Sequence, residues 1–271
     1  MRMAFLVASL RAPKAMRKKI VAGIAIVAAG VLVFVFAQPE VRAAVLFKWM
    51  PRYGRDEHLL RYRDAGGSEV YLLGTIHTSH LDTEEYSLWH LAALIEHLRP
   101  AQLLVESRPE EIDQGNPCDG PIEMGFATLF AQSLGIDSRG MDYWRKGSTL
   151  GRSDDTRDNE MFARTKPLLH RPGTTLILTG FSHVPEFARR LEADGYRPAP
   201  QESGSKTALF SLEGRSHVFP RGMAACVSHR IDHDERELTQ ESSPDLRKRL
   251  EGAVAVRRRL LSLVHAVGEA K

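Results

Sequence analysis

Two histidines in this chain stand three residues after a glycine that closes an apolar run. Gly74-Thr-Ile-His77 follows Ser68-Glu-Val-Tyr-Leu-Leu, and Gly180-Phe-Ser-His183 follows Thr174-Thr-Leu-Ile-Leu-Thr. Gly-x-x-His alone is weak, since 21 glycines and 11 histidines in 271 residues give about one occurrence by chance. The third occurrence, Gly214-Arg-Ser-His217, lies in a polar stretch and is set aside. A further apolar run, Gln102-Leu-Leu-Val, ends on Glu106. Two neutral imidazoles and a carboxylate make a three-ligand set (His77, Glu106, His183) for a divalent metal, which can acidify bound water and polarise a carbonyl. Arg157 is the candidate to hold a substrate carboxylate or a developing oxyanion. Asp142, at the end of Gly135–Asp142, is a secondary candidate on the same edge. His80 reads as an exposed loop residue.

The elements that must position these groups alternate. Apolar runs at 68–74, 102–106 and 174–179 read as buried strands. Helices are expected from Asp82, with Glu85 completing a capping box, to Pro100; over Pro121–Gly135; over Ser153–His170, broken near Pro167; after Pro185; and over Pro244–Val267. Residues 207–229 read as a hairpin. This order predicts an α/β fold with a mostly parallel core sheet flanked by helices, and ligands in such folds bind beyond the C-terminal strand ends. His77, Glu106 and His183 all fall there.

The formal net charge is +3, but six of the 37 bases lie in the first nineteen residues. The body carries 31 bases against 34 acids, which gives no basic footprint for a nucleic acid. Ile20–Ala37 is eighteen uncharged, mostly apolar residues behind Arg17-Lys18-Lys19. It reads as a signal peptide or a membrane anchor that sends the body out of the cytoplasm, giving a leader over 1–38 and one domain over 45–271. Met16 is an alternative start. In an oxidising compartment Cys118 and Cys226 either pair or remain two thiols.

The Leu-Leu-Gly-Thr-Ile-His and Leu-Leu-Val-Glu strand ends, the Arg157-Asp-Asn-Glu-Met161 helix and the second Gly-x-x-His together resemble the TraB/GumN family, within the TIKI, erythromycin esterase and ChaN superfamily. The TIKI branch of this resemblance implies a metal-dependent peptidase favouring manganese or cobalt, zinc being the other candidate, with His77, His183, Glu106 and Arg157 at the site. Asn159 matches the family asparagine only with one residue inserted. The stretch of about fifty residues between Glu106 and Arg157 is shorter than the family's helical insert. The expectation is an exported hydrolase acting on a peptide or an ester. Its alternatives are a metal-free esterase using a histidine as general base and a ChaN-like haem- or ligand-binding protein.

Overall fold

A parallel strand covered on both faces reads as an unbroken apolar run, and the three runs above form the middle of a six-stranded sheet. The structure is a computed structural model that describes residues 58–143, 155–200 and 208–270, all within one compact unit. Its strands are β1 (Leu59–Arg63), β2 (Glu69–Thr75), β3 (Gln102–Val105), β4 (Asp137–Gly140), β5 (Thr174–Gly180) and β6 (Arg197–Pro198), in the order β4-β3-β5-β2-β1-β6. The first four in that order are mutually parallel, and β1 and β6 add an antiparallel edge. The α/β, mostly parallel expectation holds. The segment Ile20–Ala37 and Trp144 lie outside the described residues, among which no helix is long and apolar enough to cross a membrane.

Alternation along each strand builds two cores. Tyr71, Leu73, Leu103, Val105, Leu176 and Leu178 face α1 (Leu88–Leu98), α3 (Ile122–Ser133), α6 (Met223–Gln240) and α7 (Pro244–Val267). Val70, Leu72, Leu104 and Ile177 face α4 (Asp155–Leu169) and α5 (Val184–Ala193). The short α2 (Pro109–Asp113) follows β3. Because β5 inserts between β3 and β2, their C-terminal ends lie side by side, with Gly74 opposite Thr179 and Thr75 opposite Gly180.

Four local expectations are corrected. The helix expected from Asp82 begins at Leu88 with Ser87 as its cap, and residues His77–Leu81 and Glu84–Tyr86 form separate 3₁₀ turns. Those turns carry His80 and Tyr86 inward, so His80 is buried instead of exposed. The hairpin expected at 207–229 gives way to α6, whose Met223, Val227 and Ile231 are buried at helical spacing. Helix α4 continues past Pro167 to Leu169, and its final carbonyls accept from Gln102 Nε2 (to Leu168) and the Tyr196 hydroxyl (to Leu169). The two cysteines are bonded to each other.

Candidate functional site

The two Gly-x-x-His turns interlock. A Cβ on Gly180 would stand 2.7 Å from His77 Nε2 and 3.3 Å from Glu106 Oε2, and one on Gly74 would stand 2.9 Å from Val184 Cγ2. Each glycine therefore leaves room for residues of the other motif, a close approach that any side chain would obstruct. His77 holds a positive φ of 50°. Its Nδ1–H donates to Glu123 Oε1 at 2.8 Å, in the first turn of α3. His183 repeats the arrangement, with Nδ1 donating to Asp158 Oδ1 at 2.5 Å on α4. In both rings the carboxylate can only accept, which places the proton on Nδ1.

Glu106 sits between the two rings, buried at the end of β3. Its Oε2 accepts from the Thr179 hydroxyl at 2.9 Å and the Gly180 N–H at 2.5 Å. Its Oε1 accepts from Arg157 Nη2 at 2.8 Å and lies 3.6 Å from His183 Nε2. Arg157 also donates from Nε to Asp142 Oδ1 at 2.9 Å, and its Nη1 is 3.4 Å from His183 Nε2. Burial alone would raise the Glu106 carboxyl, but the neighbouring His77 and His183 imidazoles, the Arg157 guanidinium and the Gly180 N–H hold it down to about 2. Burial likewise opposes a charged His77, yet Glu123 and Glu106 overcome it and push this imidazole up to about 9. The His77 side chain keeps 39% of its surface exposed and Arg157 keeps 18%, so these two groups form the outer surface of a buried acidic centre.

The donors expected to hold a metal fit a divalent ion in three respects. The atoms are imidazole nitrogens and a carboxylate. Each ring has its other nitrogen fixed by a second carboxylate, as in metal-binding histidines. Counted formally, the four buried carboxylates Glu106, Glu123, Asp142 and Asp158 and the Arg157 guanidinium sum to −3 before either imidazole is protonated, with Arg164 at the margin donating to the Asp142 carbonyl at 2.6 Å. The spacing does not fit. Among the described residues, the group of three whose donor atoms all lie within 4.8 Å of one another is His233, Asp234 and Glu237 on α6. His77, Glu106 and His183 are too spread to close on one ion in this geometry. On α6, Asp234 is already paired with Arg230 at 3.0 Å and Arg257 at 2.8 Å.

The structure thus brings His77, Glu106, Arg157 and His183 together and adds Asp142. Asn159 is exposed. His217 instead stacks on Trp89, with ring centroids 5.4 Å apart. Sequence reasoning did not single out Glu123 or Asp158. Glu123 carried a signal, as the lone charge in the apolar run Ile122–Ala131. Asp158 looked like one of several acids on a solvated helix face. Comparison with family models, curated proteins and solved structures finds no match to this chain.

His80 fixes the first turn from beneath. It donates from Nδ1 to the Tyr86 carbonyl at 2.7 Å and accepts the Ile76 N–H at Nε2 at 3.2 Å, while the Tyr86 hydroxyl donates to the Gly74 carbonyl. Burial pushes its imidazole down to about 4 from an ordinary 6.5. The unfolded chain therefore binds this proton first, so the His80 contribution is complete above pH 6.5 and is lost as pH falls towards 4. The full decline is about 3 kcal/mol. Urea unfolding of the wild type at stepped pH should show it beginning between pH 6.5 and 5. The His80→Asn variant, which cannot charge, should be flatter across that window, and equal slopes would count against this account.

Proposed function

We propose that this chain is an exported hydrolase of amide or ester bonds, with peptides the favoured substrate class. The observation that carries the reading is the His183–Asp158 pair. The proton on Nδ1 is committed to a buried carboxylate, which leaves Nε2 as a base facing Glu106 and Arg157. In the proposed reaction His183 Nε2 takes a proton from water as that water attacks the substrate carbonyl, and Asp158 stabilises the resulting imidazolium. Arg157, anchored on Glu106 and Asp142, presents Nη1 towards the developing oxyanion. His77, charged at neutral pH and half-exposed, stands ready to donate to the leaving group. The TraB/GumN resemblance supports a hydrolase. The eighteen-residue apolar segment behind Arg17-Lys18-Lys19 and the disulfide support export.

A second reading is favoured by the formal charge of −3. On that reading His77, Glu106 and His183, after a shift of their side chains, would hold a divalent ion such as manganese or cobalt, which would supply Lewis acidity and an activated water. One experiment separates the two readings. The purified chain is assayed against an ester series and a peptide library, with and without chelator, and with His183→Ala alongside. Turnover that resists chelator and is lost in His183→Ala supports acid–base hydrolysis. Turnover abolished by chelator and restored by manganese or cobalt supports the second reading. Turnover equal in wild type and His183→Ala would sink both.

A further inference from the structure

We propose that Glu123 is a positioning residue of this site, holding the His77 ring by Nδ1 and so directing Nε2 across Gly180 towards Glu106. The inference rests on the hydrolase reading only for what the held ring is used for.

Glu123 is 0% exposed on a helix that also buries the apolar Ile122, Met124, Phe126, Ala127 and Ala131, with Thr128 the other buried polar residue. A carboxylate in such a place is stable only when its charge is compensated, and an apolar residue of similar volume would pack there with less penalty. The compensation is narrow. Oε1 accepts from the His77 ring at 2.8 Å and from the Thr75 hydroxyl at 2.7 Å, while Oε2 is buried with no hydrogen-bond partner. One oxygen is thus left unsatisfied so that the other can meet His77. The ring pays in the backbone as well, because a φ of 50° at a residue with a Cβ lies in a sparsely populated region that persists only when surrounding contacts fix it. A buried, half-satisfied carboxylate and a strained backbone therefore meet at a single hydrogen bond. Its geometric result is that Nε2 rests against Gly180, beside Glu106 Oε2. Among the described residues, Glu123 is the hydrogen-bond partner of the ring's Nδ1, and so sets which nitrogen faces the centre.

The test reads the ring itself. The full chain, labelled with ¹⁵N-histidine, is examined by NMR at neutral pH, and the His77 Nδ1–H resonance is assigned by its absence in His77→Gln. The expected wild-type signal is far downfield and slow to exchange with water. Glu123→Gln preserves size and shape but lacks the charge, and it should move the signal upfield and speed its exchange at least tenfold. On any substrate that the wild type turns over, the same variant should lower kcat at least tenfold with KM within about twofold. Glu123→Asp, one methylene too short to reach, should not rescue either readout. If Glu123→Gln fails to fold, Thr75→Val, which removes the competing donor on Oε1, must still shift the resonance. A His77 signal unchanged in Glu123→Gln, or in Thr75→Val where that variant is the one that folds, overturns the proposal even if hydrolysis is observed. A shifted signal without any hydrolysis upholds the positioning role and sinks the hydrolase reading alone.

Discussion

Asp158→Asn is expected to lower turnover by about 10²–10⁴-fold, the range over which positioned proton transfer acts, while the fold is retained. Asp158 Oδ1 lies 2.5 Å from His183 Nδ1 and both side chains are buried, so the carboxylate fixes the tautomer and balances the imidazolium formed when Nε2 takes a proton. An asparagine of the same shape can turn its amide N–H to Nδ1. That would force the ring proton onto Nε2, where it faces the Arg157 guanidinium and the base is lost. Because the substitution removes a charge without leaving another buried charge unpaired, the expected loss falls on kcat more than on stability. The neighbouring Asn159 is exposed, and Asn159→Ala should stay within twofold of wild type. The decisive measurement is kcat and KM for both variants on the best substrate from the ester and peptide panels. Asp158→Asn retaining more than a third of wild-type kcat would remove His183 from the role of base.

The strand-end part of the site was legible for a physical reason. Strands buried on both faces are continuous apolar runs, parallel neighbours end on one edge, and the residue following each run is therefore at that edge whatever the helices do. His77, Glu106 and His183 follow from this, and Asp142 follows from the weaker run before it. The roles of the carboxylates behind the rings were not legible, because Asp158 and Glu123 lie on helices and the partner such a residue meets depends on how the helix docks; Glu123 stands out only as a lone charge in an apolar run. Asp158, amid Asp154, Asp155 and Glu160, has the surroundings of a solvated acid. His80 was misread because the turns at 77–87 are set by the burial of Tyr86, whose hydroxyl donates to the Gly74 carbonyl, a contact that no local spacing encodes. Strands β1 and β6 were missed as well. β6 is a two-residue edge strand, and β1, which lies between β2 and β6, carries the polar Arg61 and Arg63, both paired with Glu69 of β2.

Removing the disulfide is expected to lower the unfolding free energy by about 3–5 kcal/mol, because the bond closes a loop between residues 108 apart and restricts the unfolded chain most when the loop is long. That loop contains α3, β4, α4, β5, α5 and β6, and with them Glu123, Asp142, Arg157, Asp158 and His183, while His77 and Glu106 precede it. The native seat of the bond should survive its loss. Asp119, next to Cys118, is paired with Arg108 at 2.6 Å and with Arg230 of α6 at 2.7 Å. These pairs keep the 3₁₀ turn Pro117–Asp119, and with it the start of α3, against α6. The change should therefore appear in the unfolded state. In urea, Cys118→Ser/Cys226→Ser should show a lower midpoint with a somewhat larger m, as expected when an unlinked chain exposes more surface. The His77 Nδ1–H resonance should remain at its wild-type position, because Glu123 stays seated. A stability change under 1 kcal/mol would refute the loop argument. A full loss of stability accompanied by a displaced His77 resonance would show instead that the bond, and not the Asp119 ion pairs, holds α3 in register with the first histidine.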